Sequence, residues 1–172
     1  NRLDRPVSGL VLIARNKSAA AKYSTLMQKE GGFNKQYEAL ICGKLSEPKG
    51  TFVDYLKKDG RTNTSAIVPA DAAANDKDAK LSKLEYEVIS YDEVKDITHV
   101  RIHLITGRHH QIRVQFASRR HPLVGDYKYA TADCGMDNAV KAVALKRNQI
   151  ALCAVSLTVD NKTYSVAPEF LL

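Results

Sequence analysis

Four stretches of this chain alternate apolar and polar residues with a period of two, and nothing else in the sequence limits the fold as much. Residues 35–43, KQYEALICG, set Tyr37, Ala39 and Ile41 against Gln36, Glu38 and Leu40. Residues 83–91, KLEYEVISY, repeat the pattern, and so do residues 99–107, HVRIHLITG, with Val100, Ile102 and Leu104 on one side. Residues 150–168, IALCAVSLTV then DNKT then YSVAP, read as two such runs joined by a turn, a hairpin. Successive side chains of a strand point to opposite faces, so each run offers a sheet one apolar face. Leu10–Ala14 differs in being wholly apolar between Gly9 and Arg15, which predicts a central strand covered on both sides.

Helical signals are fewer. Asn16-Lys17-Ser18 offers an N-cap to KSAAAKYSTLMQKE, where Ala19, Tyr23, Leu26 and Met27 share a face and Gly31-Gly32 supplies the stop. Thr106 is expected to cap a second helix through GRHHQIRVQFASRR, with Ile112 and Phe116 stacked one turn apart toward the core. NAVKAVALKRN is a third short stretch, and TNTSAIVPADAAANDKDAK, residues 62–80, reads as a long and mobile connection. At 172 residues the chain has room for one domain. The expectation is an α+β fold: a mixed, largely antiparallel sheet flanked by helices over residues 1–172.

The charge balance is uneven. Lys and Arg number 26 against 19 Asp and Glu, a formal +7. Such a surface favours polyanions, nucleic acid foremost, although solubility alone is the plainer reading. Cys42, Cys134 and Cys153 are odd in number and form no CxxC, which argues against a disulfide framework or zinc ribbon and fits a reducing compartment. No apolar run approaches the roughly 18 residues of a membrane span and no signal-peptide pattern is visible, so a cytoplasmic protein is expected. The chain starts at Asn1 rather than methionine, with a candidate functional stretch at that end, which suggests that an upstream part is missing.

That stretch is NRLDRPVSGLVLIARN, in which Asp4 sits between Arg2 and Arg5. It is either a solvated surface cluster or an acid kept ionised by cations because chemistry needs it. The densest polar cluster is TGRHHQIR, residues 106–113. Arg108 falls in the first turn of the expected helix, where a cation opposes the helix dipole, so an anionic partner is expected there. Arg113 follows the core-facing Ile112. A guanidinium turned inward at that position needs a carboxylate, because an unpaired buried charge costs roughly 3–5 kcal/mol; an exposed basic helix face is the alternative.

Metal binding is poorly served. His109 and His110 would diverge by about 100° on a helix, and His99 and His103 lie too far apart on a strand to chelate together. Ser8 lacks a nucleophile elbow, and Gly43-Lys44 lacks the glycine spacing of a phosphate loop. Tyr37 is either a core residue or a platform on which a nucleobase stacks, with Lys35 and Lys44 adding positive charge nearby.

Taken in order, RLDRPVSGLVLIAR, KQYEALICGKL, ITGRHHQIRVQFASRRHPLVGDYKYA and IALCAVSLTV resemble the motifs of the RluA-type pseudouridine synthases, leaving mainly residues 62–80 unmatched. The resemblance implies the α+β pseudouridine-synthase fold with an RNA cleft across its sheet. It also implies an isomerase that breaks the N-glycosidic bond of selected uridines, turns the base over and rejoins it through carbon. Asp4 falls on the family's catalytic aspartate, Tyr37 on the tyrosine that stacks on the target base, and Arg113 on the arginine that pairs with the aspartate. Arg2 matches an arginine inserted where the base has left the helix. Arg5, Lys35, Arg108, His110 and Gln111 are expected to contact RNA. The family usually has histidine where Asn1 stands, and often where Cys153 stands.

Isomerisation moves no electrons, so neither cofactor nor metal is expected. The partner is expected to be structured RNA, ribosomal or transfer, acted on by a monomer. Two other classes compete: an RNA-binding module without catalysis, and an aspartate-dependent hydrolase of phosphate esters, which would normally call for a metal.

Overall fold

A computed structural model of the chain describes residues 3–29, 32–143, 145–146 and 148–170. Asn1, Arg2 and the first glycine of the expected Gly31-Gly32 helix stop lie outside them. The elements run β1 (Ser8–Gly9), α1 (Lys17–Gln28), β2 (Asn34–Cys42), β3 (Lys49–Asp59), β4 (Thr64–Val68), α2 (Ala70–Ala73), β5 (Lys80–Asp92), β6 (Ile97–Leu104), α3 (Gln111–Ala117), α4 (Met136–Ala142), β7 (Leu152–Val159) and β8 (Lys162–Ser165). One sheet joins the strands in the order β1-β7-β2-β6-β5-β3-β4, with β8 paired to β7. Every pairing is antiparallel except β1 with β7. This is the expected mixed, largely antiparallel α+β fold.

The period-two runs become β2, β5, β6 and the β7–β8 hairpin. Tyr37, Ala39, Ile41, Val100, Ile102, Leu104, Leu84 and Tyr86 all enter one core cluster with Ile112 and Phe116 of α3. Phe52, Tyr86 and Phe116 bring their rings within 4.8–5.9 Å of one another and fasten α3 to the sheet. A second cluster covers the opposite face of the sheet, where Leu40, Cys42, Cys153 and Val155 meet Met136 and Ala139 of α4 and Phe170. The second half of β2 is therefore buried on both sides, and Leu40 is core although it shares the parity of Gln36 and Glu38. Asp160 (φ 49°) and Asn161 (φ 59°) make the two-residue turn of the β7–β8 hairpin, both in the left-handed region that such tight hairpins require. Asp160 also accepts hydrogen bonds from Lys22 Nζ (2.6 Å) and Tyr23 Oη (2.9 Å), which docks α1.

Three expectations fail, each for a physical reason. Leu10–Ala14 is not a central strand. The strand is Ser8–Gly9, at the sheet edge beside β7, and Ile13 is 81% exposed. Gly9 has φ +113° and a Cβ there would collide with the Ala154 backbone, so the parallel approach is possible for glycine alone. Residues 62–80 are not a plain connection, because Thr64–Val68 form β4 against β3 and Ala70–Ala73 a helical turn. The alternation of β3 itself was hidden, since Lys49–Asp59 carries charge on both sides of Phe52 and Leu56. Finally, Thr106 does not cap α3. The helix begins at Gln111 after His110, which stands at φ 53° in the left-handed region. Asn16, by contrast, caps α1 as expected, its side chain accepting from Ala19 N at 2.8 Å.

Candidate active site

The segment before β1 is tied to the sheet by its backbone. Val7 N donates to Asp4 O (3.0 Å) to close a turn, Ile150 N donates to Pro6 O (3.1 Å), and Leu10 N to Ala154 O (3.0 Å). This holds Asp4 beside the start of β7 with its side chain 29% exposed. From α3, on the face that carries Ile112 and Phe116 into the core, Arg113 reaches the same place. Its Nη1 lies 3.4 Å from Asp4 Oδ2, and His110 Nε2 lies 3.5 Å from the same oxygen. Asp4 thus faces a guanidinium and an imidazole.

The carboxylate that a buried Arg113 demands is chiefly Asp126. Arg113 Nε and Nη2 donate to Asp126 Oδ2 and Oδ1, both at 2.7 Å, in a two-pronged pair with the aspartate side chain 1% exposed. Burial opposes the charge on Arg113, but the hydrogen bonds and charge of Asp126, joined by Asp4, outweigh it and raise its pKa above the usual arginine value. Asp126 is aimed by a turn that follows the bridge between Ile41 and Leu123. Gly125 at φ +87° is required there, since a Cβ would come within 2.6 Å of Gln149 O.

Around this pair the side chains are fully engaged. The guanidinium of Arg113 lies 5.1 Å from the centre of the Tyr129 ring. Tyr129 Oη accepts from Ser65 N (2.9 Å) on β4 and sits 2.6 Å from His110 Nδ1. The rings of His109 and His110 stack at 3.8 Å, and Ser65 Oγ meets His109 Nδ1 at 2.9 Å. Burial first, then Arg113, His109 and Lys128, drive the pKa of His110 down to about 4 despite the charge of Asp4, so the ring is neutral at pH 7.

Tyr37 occupies the floor. It is 7% exposed, within the core cluster, and its hydroxyl makes no hydrogen bond to a described residue. Its pKa is pushed up to about 12, by burial first and then by the negative charge of Asp4. Lys35, one turn of the pleat away on β2, is half-buried with its pKa lowered by burial, and a Cβ at Gly107 would stand 3.3 Å from its Nζ.

Of the residues expected to act together, Arg113 and His110 both come to Asp4, whereas Tyr37 is linked to Asp4 only through its charge and Lys35 lies beside Gly107. Arg5 is exposed and makes no ion pair with a described residue. Arg108 is exposed too, with Nε donating to Leu81 O at 3.0 Å, but it precedes α3 and no helix dipole bears on it. Gln111 belongs to the scaffold. It is buried, its Oε1 accepts from Thr106 Oγ1 (2.9 Å) and Arg108 N (3.0 Å), and its Nε2 donates to Lys83 O and Gln115 Oε1 (both 3.1 Å). Arg2 lies outside the described residues. Asp126, Tyr129, His109 and Ser65 were not expected. The only sequence signal for Asp126 was the requirement that Arg113, once buried, have an acid. Among the described residues no group of three or more His, Cys, Asp or Glu could hold a metal ion.

A family model described as RNA pseudouridylate synthase matches residues 1–118. The chain belongs to that family. Among curated relatives, the ribosomal large subunit pseudouridine synthase D of Blochmanniella floridana is 35% identical over 130 residues, 74% of this chain and 37% of the relative. The protein of the same description from Vibrio vulnificus is 30% identical over 173 residues, 99% of this chain and 50% of the relative. The chain therefore spans half or less of the length of these two relatives. Among solved structures, human RNA pseudouridylate synthase domain containing 1 superposes with a TM-score of 0.76 at 25% identity, covering 98% of this chain and 67% of that one. Together these identify an RluA-type pseudouridine synthase domain.

Proposed function

We propose that residues 1–172 are the catalytic domain of an RNA pseudouridine synthase, which isomerises a uridine in structured RNA at Asp4. The observation that carries this reading is a partly exposed carboxylate set between the guanidinium of Arg113 and the ring of His110. A uridine stacked in a helix cannot meet such a site, so it must be turned out at a cost of a few kcal/mol. Stacking against an aromatic ring contributes roughly 1–3 kcal/mol per base and offsets much of that. Tyr37 supplies the ring, although its small exposed area requires neighbouring side chains to give way as the base enters.

Asp4 acts as an anion. It either attacks the sugar or base covalently or removes a sugar proton so that the base departs. Arg113 and His110 stabilise and orient it in both routes, and the base rejoins through carbon with no net gain or loss of electrons. Arg5, Lys35 and Arg108 meet phosphates of the RNA, and Arg2 is proposed as a further RNA contact. The names of the two bacterial relatives make ribosomal RNA the first substrate to test, ahead of transfer RNA. A cytoplasmic location fits the free thiols, and a monomer is the state proposed for the domain; among the described residues no helix is long and apolar enough to cross a membrane.

A binding module without chemistry has no use for an acid facing a phosphate chain, which repels it. A metal-dependent hydrolase would need its cation at Asp4, where Arg113 already stands. Asp4→Asn in the full-length protein is expected to abolish pseudouridine formation in ribosomal RNA while leaving RNA affinity nearly intact. Normal pseudouridine formation by that variant overturns the assignment.

A further inference from the structure

His110 has two ring nitrogens, and the structure decides which one carries the proton. Tyr129 Oη has a single hydrogen to give and lone pairs with which to accept. The backbone N–H of Ser65, which can only donate, already points at Oη from 2.9 Å. The hydroxyl proton is then free for the one other partner within reach, His110 Nδ1 at 2.6 Å. In the reverse arrangement Oη would accept from both nitrogens and its own proton would face no acceptor among the described residues. A buried hydroxyl left in that state costs about 1–3 kcal/mol. With Nδ1 accepting, the proton of neutral His110 sits on Nε2, the nitrogen 3.5 Å from Asp4 Oδ2.

We infer that Tyr129 is a positioning residue that locks His110 as the Nε2–H tautomer, so that His110 presents an uncharged donor to the carboxylate of Asp4. This rests on the reading of Asp4 as the reactive acid. Arg113 supplies the charged contact from one side and His110 a neutral one from the other. Both now stand at 3.4–3.5 Å, longer than a closed hydrogen bond, and a movement of the carboxylate by about half an ångström shortens them to working distance. The neutral donor has a use that a second cation lacks. It orients the anion and adds no further positive charge to quench it as a base or nucleophile.

The groups facing His110 are Asp4, Arg113 and Tyr129, with His109 stacked on the ring and Lys128 adding positive charge. The charges of Arg113 and Lys128 and the burial of the ring oppose its protonation, and only Asp4 favours it. The device therefore holds its charge state across the neutral range.

The tautomer itself can be read without substrate. Long-range proton–nitrogen NMR correlation of the 15N-labelled protein, with the His110 signals assigned by their loss in His110→Gln, reports the tautomer directly. The expected pattern is protonated Nε2 and bare Nδ1 from pH 8 down to pH 5.5; a protonated Nδ1, or an imidazolium in that range, overturns the proposal. Tyr129→Phe should release the lock to a tautomer mixture. It should also lower single-turnover kcat about 10- to 100-fold, as loss of orientation does, without changing RNA affinity. An unchanged tautomer and an unchanged kcat overturn it equally. Should the wild-type protein show the Nε2–H tautomer yet form no pseudouridine, the functional reading fails and the tautomer assignment stands.

Discussion

Replacing Asp126 with Asn tests whether one buried carboxylate holds the whole site in place. The change conserves shape, so no cavity opens and the loss is electrostatic. In the native pair both nitrogens of the Arg113 fork sit 2.7 Å from carboxylate oxygens, with the two side chains 6% and 1% exposed. An amide keeps one acceptor and turns an NH2 toward a guanidinium N–H, donor against donor. Removing one partner of a buried ion pair costs about 3–5 kcal/mol. The surviving acceptor and the remaining charge of Asp4 at 3.4 Å bring the expected loss to the lower end, about 3 kcal/mol. For a domain of this size each kcal/mol shifts Tm by about 2–4 °C, so melting followed by circular dichroism at pH 7 should fall by about 6–12 °C. Below that melting point, single-turnover pseudouridine formation should drop about 10- to 100-fold, because a fork held by one prong no longer fixes Nη1 against Asp4. RNA affinity should change little, since Asp126 is buried and touches no cleft surface. A Tm lowered by less than about 2 °C would mean that the pair contributes under about 1 kcal/mol, and the claim that Asp126 holds Arg113 would be refuted. A loss of affinity with kcat intact would refute the positioning role instead.

The other predictions concern the frame and its response to acid. His110, His109 and His99 all have pKa values below the usual 6.5, with burial the main cause in each. The unfolded chain therefore binds more protons than the native one between about pH 6.5 and the lowered native values, so stability is full above pH 6.5 and falls as the pH drops below it. Urea titrations at pH 7.0, 6.0 and 5.0 should show that decline, and His110→Gln should flatten it by no more than one proton, about 1.4 kcal/mol per pH unit; rising stability toward pH 5 would contradict the assignment. Phe116→Ala removes a fully buried ring that fastens α3 to the sheet, and should cost about 3–5 kcal/mol in urea unfolding. A loss below about 1 kcal/mol would show that α3 is not held through this cluster.

How much of this was legible beforehand depends on whether a residue's placement is decided locally. The strands at the middle of the sheet announced themselves, because β2, β5 and β6 have one face against α3 and their alternation is set by that burial. The Asn16 cap was legible for the same reason, its partner lying three residues away. The edges were not. β3 and β4 face solvent widely, so lysines and threonines sit where a central strand would carry valines, and the pattern fades. Leu10–Ala14 failed in the opposite direction. A run of apolar residues looks buried, but the strand itself covers only Ser8–Gly9, and Val11 and Ile13 are left outward. In the site, Asp4 and Arg113 were found through resemblance and through the cost of a buried guanidinium. Asp126 and Tyr129 lie 13 and 16 residues beyond Arg113 and meet it only after the chain turns back past β2. Nothing in their local sequence declares that meeting.

The geometry explains why a single arginine serves two acids without neutralising both. Arg113 has three nitrogens, and the closed fork to Asp126 uses Nε and Nη2, leaving Nη1 for Asp4 at a longer distance. The short pair is buried, and it offsets most of the cost of burying the guanidinium. What remains is a directed donor whose placement does not depend on the exposed acid. Asp4 can then approach, leave or react while Arg113 stays fixed. An arginine paired with Asp4 alone would lose its only counter-charge whenever that carboxylate formed a bond or took up a proton, and a buried unpaired charge would work against the chemical step. Division of the fork between a structural acid and a reactive one removes that penalty, and it gives the buried Asp126 a part in the proposed chemistry although it never meets the substrate.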